Sequence, residues 1–233
     1  MAEDVDVYTS EGIKLYTVKP ITTSISGIEF DGLYYWITDN VSTSSSIVKQ
    51  MILASSFSSV SSFDIQTTYS SAVISINGIC TDGKDLWIAF EQVVGPNIFS
   101  VVGKFDKSGN YSGFNAVGQN KASYGTIRDI TFDGYRIVVS ASLGATHKLS
   151  WFDLSGANRE VQQVTASRPI LGVCFNGVNY VIVMQNIMQI LDVDGDVLWP
   201  GTGTGGGASP KAICMLNSGF GKYDSNRYAM AQS

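Results

Sequence analysis

Three cysteines, Cys80, Cys174 and Cys214, raise the question of a thiolate metal site, since convergent thiolates are good zinc ligands. All three fall at one position of an internal repeat, and the remaining copies carry Glu29 and Thr131 there. Zinc spacing motifs are missing, and a small side chain in a crowded strand accounts for Cys and Thr at such a position. Glu29 is different, because a buried carboxylate without a partner is costly or takes up a proton. Pairing with Arg128 or Lys211, or contact with channel water, would resolve that cost. Arg128 and Lys211 are also the cations best placed to hold a small anionic or sugar ligand. Asn77, Asp129, Asp39, Asn40 and Glu91 join them as candidate ligand-binding residues, with Gln185 and Asn186 in an equivalent loop. Nucleophilic catalysis has little to work with. The sole histidine, His147, follows "SLGAT" at a strand start with no serine elbow nearby, and a surface position is expected for it. No catalytic residue and no resident cofactor is assigned.

The elements that position these residues follow from the repeat. Aligning Ile28, Ile79, Ile130, Val173 and Ile213 gives spacings of 51, 51, 43 and 40 residues. Four copies continue with Asp31-Gly32, Asp82-Gly83, Asp133-Gly134 and Asn176-Gly177, then run without gaps through "YWITD", "LWIAF", "IVVSA" and "YVIVM". Asp-Gly and Asn-Gly suit tight hairpin turns, and β-branched and aromatic flanks suit strands. A second hairpin is expected at Gly109, Gly156 and Gly195. Each unit is then four short antiparallel strands, A to D, and no helical period lasts through a comparable window.

Such a unit is apolar on both faces and needs neighbours, as the blades of a closed β-propeller do. The last copy has strands A and B only, whereas "VDVYTSEGIKLYTV" near the start resembles a C–D hairpin with Gly12 at its turn. The expected fold is therefore all-β, a five-bladed β-propeller of four antiparallel strands per blade, its ring closed by N-terminal strands completing the C-terminal blade. Blade cores are expected near 25–70, 74–120, 127–167 and 170–203, with 210–233 plus 3–18 as the fifth, in a single domain. Blade one lacks a glycine turn in its serine-rich outer half, so a long or irregular C–D connection is expected there. "GTGTGGGASP" reads as a flexible link between the fourth and fifth units. Trp36, Trp87 and Trp151 are expected in the packing, and Trp199 is expected to be exposed. "DVDGD" at 192–196 lacks the length and terminal glutamate of a calcium loop and is read as a turn.

The unit "GIxFDGxxxWIx…VxKFDxxG" resembles the repeats of the NHL, YncE-like and streptogramin-lyase-like propellers over nearly the whole chain. The resemblance implies the fold. It also implies a runner-up function: lactonase-type propellers hold a divalent cation with Glu, Asn and Asp at the channel, and Glu29, Asn77 and Asp129 could imitate that set. The lyase chemistry depends on histidine, which is scarce here.

Composition narrows the function classes. A net charge of −5 and a sequence pI near 4.8 give no drive toward nucleic acid or anionic membrane. Charged residues make up only 15%, no run approaches the ~20 apolar residues of a membrane span, and an odd cysteine count argues against a disulfide framework. The acidic start lacks the basic, apolar pattern of a signal peptide, so folding in a cytoplasm is expected, with later display on a virion surface. The sequence reading is thus a non-catalytic binding or structural module. A virion or phage-tail surface component is expected, attaching to protein, surface glycan or other virion subunits, without nucleic-acid or membrane partners. A small lyase or lactonase-type enzyme is the alternative.

Overall fold

A computed structural model describes residues 4–9, 14–18, 24–42, 45–53, 57–69, 72–184, 187–203, 210–215 and 227–232. The chain opens with β1 (Asp4–Thr9) and β2 (Lys14–Val18). A first blade follows, with β3 (Ile25–Phe30), β4 (Tyr35–Ser42), β5 (Ser45–Leu53) and β6 (Phe57–Asp64). After α1 (Ile65–Tyr69), the second blade contains β7 (Ala72–Thr81), β8 (Leu86–Val94), β9 (Asn97–Phe105) and β10 (Tyr111–Asn120). After α2 (Lys121–Tyr124), the third contains β11 (Thr126–Phe132), β12 (Arg136–Leu143), β13 (Thr146–Asp153) and β14 (Glu160–Ala166). The fourth contains β15 (Ile170–Phe175), β16 (Tyr180–Met184), β17 (Ile187–Leu191) and β18 (Val197–Gly203). The chain ends with β19 (Pro210–Met215) and β20 (Arg227–Gln232).

Four sheets are contiguous in sequence, and each is a four-stranded antiparallel meander. A further four-stranded sheet, ordered β19-β20-β1-β2, draws on both ends of the chain. The innermost strands lie side by side, β3 against β7, β7 against β11, β11 against β15, and β19 against both β15 and β3.

Strand periodicity explains why consecutive residues in the middle of the B strands are buried, most of them apolar. Successive side chains point to opposite faces, and both faces of a blade are covered by neighbours. Thus Leu86, Ile88 and Phe90 pack toward the first blade with Trp36 and Val48, whereas Trp87 and Ala89 pack toward the third with Ile137 and Val139. Val138 points the other way, joining Trp151, Ile170, Val173 and Tyr180 between blades three and four. Trp36, Trp87 and Trp151 are fully buried, as expected. Trp199 is not the exposed tryptophan: it is half-buried against Cys174, Val181, Val183 and Met188.

Several local expectations need correction. The outer hairpin of blade one pairs Leu53 with Phe57 and carries a register shift between Gln50 and Met51, so part of the expected irregularity lies within the strands; residues 54–56, which join them, lie outside the described residues. Among the described residues there are two helices, α1 and α2, each of about one turn and too short to show a helical period; both lead from an outer strand to the next innermost one. In the β13–β14 turn the left-handed residue is Asn158, at φ 57°, rather than Gly156. Asn158 is anchored to blade two, since its N–H donates to the Ala116 carbonyl and its Oδ1 accepts from the Gly118 N–H. Of the glycine-rich link, 201–203 form the end of β18, while 204–209 lie outside the described residues, as does Gly12.

The recurring Asp-Gly is more than a turn. Gly32, Gly83, Gly134 and Gly177 have φ between 90° and 97°, which a side chain would strain. One oxygen of Asp31, Asp82, Asp133 or Asn176 accepts the N–H groups two and three residues on, at 2.7–3.0 Å. The second oxygen of Asp31 accepts the Trp36 indole N–H at 2.9 Å, and that of Asp82 accepts the Trp87 indole at 3.1 Å. In blade three the Tyr180 hydroxyl donates to Asp133 at 2.6 Å and accepts from the Trp151 indole at 2.9 Å, joining blades three and four. Lys107 of blade two donates to Asp31 of blade one at 2.8 Å.

Burial alone would raise these carboxyls, but their hydrogen bonds outweigh it and hold Asp31, Asp82 and Asp133 below the usual carboxylate range. A depressed folded-state pKa contributes stability that is complete above the unfolded carboxylate's pKa of about 3.9 and is lost as pH falls through the folded value. The thermal midpoint is therefore expected to drop steeply below about pH 4. Asp82→Asn should flatten that acid limb while lowering the midpoint at pH 7; an unchanged acid limb would show that Asp82 titrates alike in both states.

Candidate functional site at the channel mouth

The mouth is built by a backbone irregularity repeated in every sheet. Pairing between strands A and B skips one residue near the start of each innermost strand. Ile25 faces Asp39 and Gly27 faces Thr38; Ile76 faces Phe90 and Gly78 faces Ala89; Ile127 faces Ala141 and Asp129 faces Ser140. The same skip lies between Ile170 and Gly172 and between Pro210 and Ala212. The residues left out are Ser26, Asn77, Arg128, Leu171 and Lys211, which the repeat alignment put at the strand-A entry. A one-residue bulge re-aims its side chain out of the blade-facing alternation.

Their environments differ. Arg128 is exposed and makes no ion pair among the described residues. Asn77 is half-buried, and its Nδ2 is enclosed with no hydrogen-bond partner among the described residues. Ser26 shares a hydroxyl hydrogen bond with Thr38 at 2.9 Å. The side chain of Lys211 lies outside the described residues, as do Gln185, Asn186 and the side chain of Cys214.

Below the bulge the innermost strands approach backbone to backbone. A Cβ on Gly27 would sit 2.9 Å from the Gly78 Cα, and one on Gly78 would sit 2.7 Å from Asp129 Oδ1. This close approach explains the repeat's glycine. Asp129 takes the same position in blade three and puts its carboxylate to structural use. Oδ1 accepts the Ile130 N–H at 2.9 Å, and Oδ2 reaches across to the Val173 N–H of blade four at 3.0 Å.

One step deeper, Cys80, Thr131 and Cys174 are buried at equivalent register positions, opposite Trp87, Val138 and Val181. Glu29, at the equivalent position opposite Trp36, is half-buried. Burial raises its pKa to about 8; the Phe30 N–H opposes the shift and the Asp31 charge adds to it. Glu29 is therefore mostly protonated at neutral pH. The expected pairing with Arg128 is absent among the described ion pairs, and protonation relieves the buried charge instead. Burial likewise pushes the Cys80 and Cys174 thiols up, with Glu29 and Asp129 adding to the shift, so both stay protonated and unreactive.

Three candidates are occupied by the frame. Asp39 is buried, accepting Lys49 Nζ at 2.7 Å and the Ser24 N–H at 3.1 Å. Asn40 clamps blade one to blade two, its Nδ2 donating to the Ile76 carbonyl at 2.7 Å and its Oδ1 accepting the Ile76 N–H at 2.8 Å. Glu91 is buried with Lys121 Nζ at 2.7 and 2.8 Å from its two oxygens. His147 is also buried rather than on the surface, its Nδ1 lying 3.1 Å from the Ser142 hydroxyl. The 192–196 segment is the expected turn, with Asp192 Oδ1 accepting the N–H groups of Asp194 and Asp196.

Residue alignment missed the bulge, because a skipped pairing leaves no gap in the sequence. It also missed the indole hydrogen bonds, although their signal was present: Asp31 to Trp36 and Asp82 to Trp87 share a five-residue spacing. Apart from the mouth, a cavity of about 310 Å³ between blades three and four is lined mainly by aliphatic groups such as Leu149, Ile170 and Met184; it contains none of the candidate residues.

No family model matches the sequence, and no curated protein does. Among solved structures, the glutaminyl cyclase of Myxococcus xanthus is 14% identical, over 97% of this chain and 93% of that one, with a TM-score of 0.50. The chain has the β-propeller fold. A gluconolactonase from Xanthomonas campestris is 10% identical, over 86% of this chain and 69% of that one, at a TM-score of 0.49. A PQQ-bound aldose sugar dehydrogenase from Streptomyces coelicolor is 9% identical, over 98% of both chains, at 0.48. At such identities the likeness concerns the fold alone, and the three propellers differ in chemistry.

Proposed function

We propose that this protein is a binding propeller that receives an acidic sugar or similar small anionic group at the channel mouth. The observation that carries the reading is Arg128, exposed on a bulge of an innermost strand with no ion pair among the described residues. A guanidinium in that position offers a carboxylate its paired N–H donors. Asn77, on the neighbouring innermost strand, holds an unpartnered amide that a sugar hydroxyl would satisfy. Lys211 stands at the same bulge position on β19. Glu29 adds a proton donor in the channel below. In this reading the chain is a five-bladed ring completed by the terminal sheet, and it serves as an attachment module for surface glycan or protein on a virion or phage tail. Ordered, weakly charged blades with Ser-, Gly- and Asn-rich loops suit that use.

The enzyme reading requires Glu29, Asn77 and Asp129 to converge on a divalent cation. Asp129 has both carboxylate oxygens committed to backbone N–H groups, which disfavours that reading. Screening the protein against acidic and neutral glycans tests the proposal. Binding to uronic- or sialic-acid-containing glycans, reduced about tenfold or more by Arg128→Ala and by Asn77→Ala at unchanged thermal stability, is expected. Glycan binding that survives both substitutions would contradict it, as would glycan turnover.

A further inference from the structure

On the opposite face of the ring, the A–B and C–D hairpin turns present their tips. The Lys107–Asp31 bond ties a C–D turn of one blade to an A–B turn of the next and places both on this side. In the four A–B turns among the described residues, the residue after the glycine is Leu33, Lys84, Tyr135 or Val178. The position is ordinarily polar. Here three of the four are apolar and outward-facing, with Leu33 at 65%, Tyr135 at 85% and Val178 at 68% exposure. These apolar tips, one on each of three blades, are free to be covered by a partner that meets this face.

The charges on this face indicate the partner. Lys84, on blade two, is exposed and makes no ion pair among the described residues. Asp194 and Asp196, in the C–D turn of blade four, are likewise exposed and unpaired among the described residues. Blades two and four flank blade three, whose tip is Tyr135. A two-fold axis through blade three exchanges blades two and four, and in such an interface residue i meets j while j meets i. Lys84 of each copy then meets Asp194 and Asp196 of the other, with the two Tyr135 rings together at the axis.

We propose that this face binds a second copy of the chain, giving a two-fold dimer in which Tyr135 packs on Tyr135 and Lys84 pairs with Asp194 and Asp196. The Lys84 stem covers Val178 of the opposing copy. Both channel mouths then point outward, so the dimer is bivalent whatever ligand the mouths take.

Sedimentation equilibrium on the full chain tests this. The wild-type protein is expected to dimerise at micromolar concentration. Tyr135→Asp should weaken dimerisation at least about tenfold while its thermal midpoint at low concentration is retained. Lys84→Glu alone, and Asp194→Lys with Asp196→Lys, should each repel their own copies and sediment as monomers. Mixed in equal amounts, these two variants restore both charge pairs and should form a heterodimer. A wild-type chain that stays monomeric at about 100 µM would overturn the proposal, since a contact of ordinary size is far tighter. A dimer indifferent to Tyr135→Asp and Lys84→Glu, or variants that fail to associate on mixing, would overturn it equally.

Discussion

Asp129→Ala is expected to lower the unfolding free energy by about 3 kcal/mol, because it strips two buried N–H groups of their acceptor at about 1–3 kcal/mol each. The two donors belong to Ile130 in blade three and Val173 in blade four. The loss therefore weakens both a strand and a blade-to-blade seam. Asp129→Asn keeps the volume but turns one acceptor into a donor facing an N–H, so it should recover no more than about half of the loss. Urea titration followed by tryptophan fluorescence checks both, since Trp87 and Trp151 are buried in the seams on either side of blade three. A change below about 1 kcal/mol for Asp129→Ala would show that water replaces the carboxylate, which would make this position part of the channel's wet lining.

Glu29→Gln is expected to stabilise the protein, in a way that depends on pH. An acid whose folded-state pKa is raised binds a proton on folding across the interval between its unfolded and folded values. For Glu29 that interval runs from the ordinary carboxyl value of 4.5 to about 8. Stability of the wild-type chain contributed by this group falls as pH rises through the interval and levels off above it. Glutamine carries no such titration. The variant and the wild type should match near pH 4 and diverge upward, reaching on the order of 2–4 kcal/mol in favour of the variant at pH 9, channel water reducing the full shift. Unfolding titrations at pH 4.5, 7 and 9 measure the divergence. A constant difference across that range would mean that Glu29 ionises in the fold as freely as in solution.

Much of the architecture was legible because it rests on chemistry that repeats. Asp-Gly marked the A–B turns, and the B strands aligned without gaps, since each blade must seal both faces against neighbours by period-two packing. The cysteines at one repeat position read correctly as small buried groups at Cys80 and Cys174. The site was less legible. Asp39, Asn40 and Glu91 look like loop polar groups in sequence, and only tertiary contacts show Lys49, Ile76 and Lys121 using them. His147 misled for the same reason: its strand-start position suggests exposure, while packing decides it. Arg128 remains because nothing in the described fold consumes its charge.

The proposed binding mouth is tested most directly by amide chemical-shift mapping during titration with a uronic-acid oligosaccharide. Shifts are expected to concentrate at Ser26, Asn77, Arg128 and Leu171 and to vanish in Arg128→Ala. Shifts concentrated at Leu33, Lys84, Tyr135 and Val178 on the opposite face, or no shifts at all at millimolar ligand, would contradict a ligand site at the bulge ring.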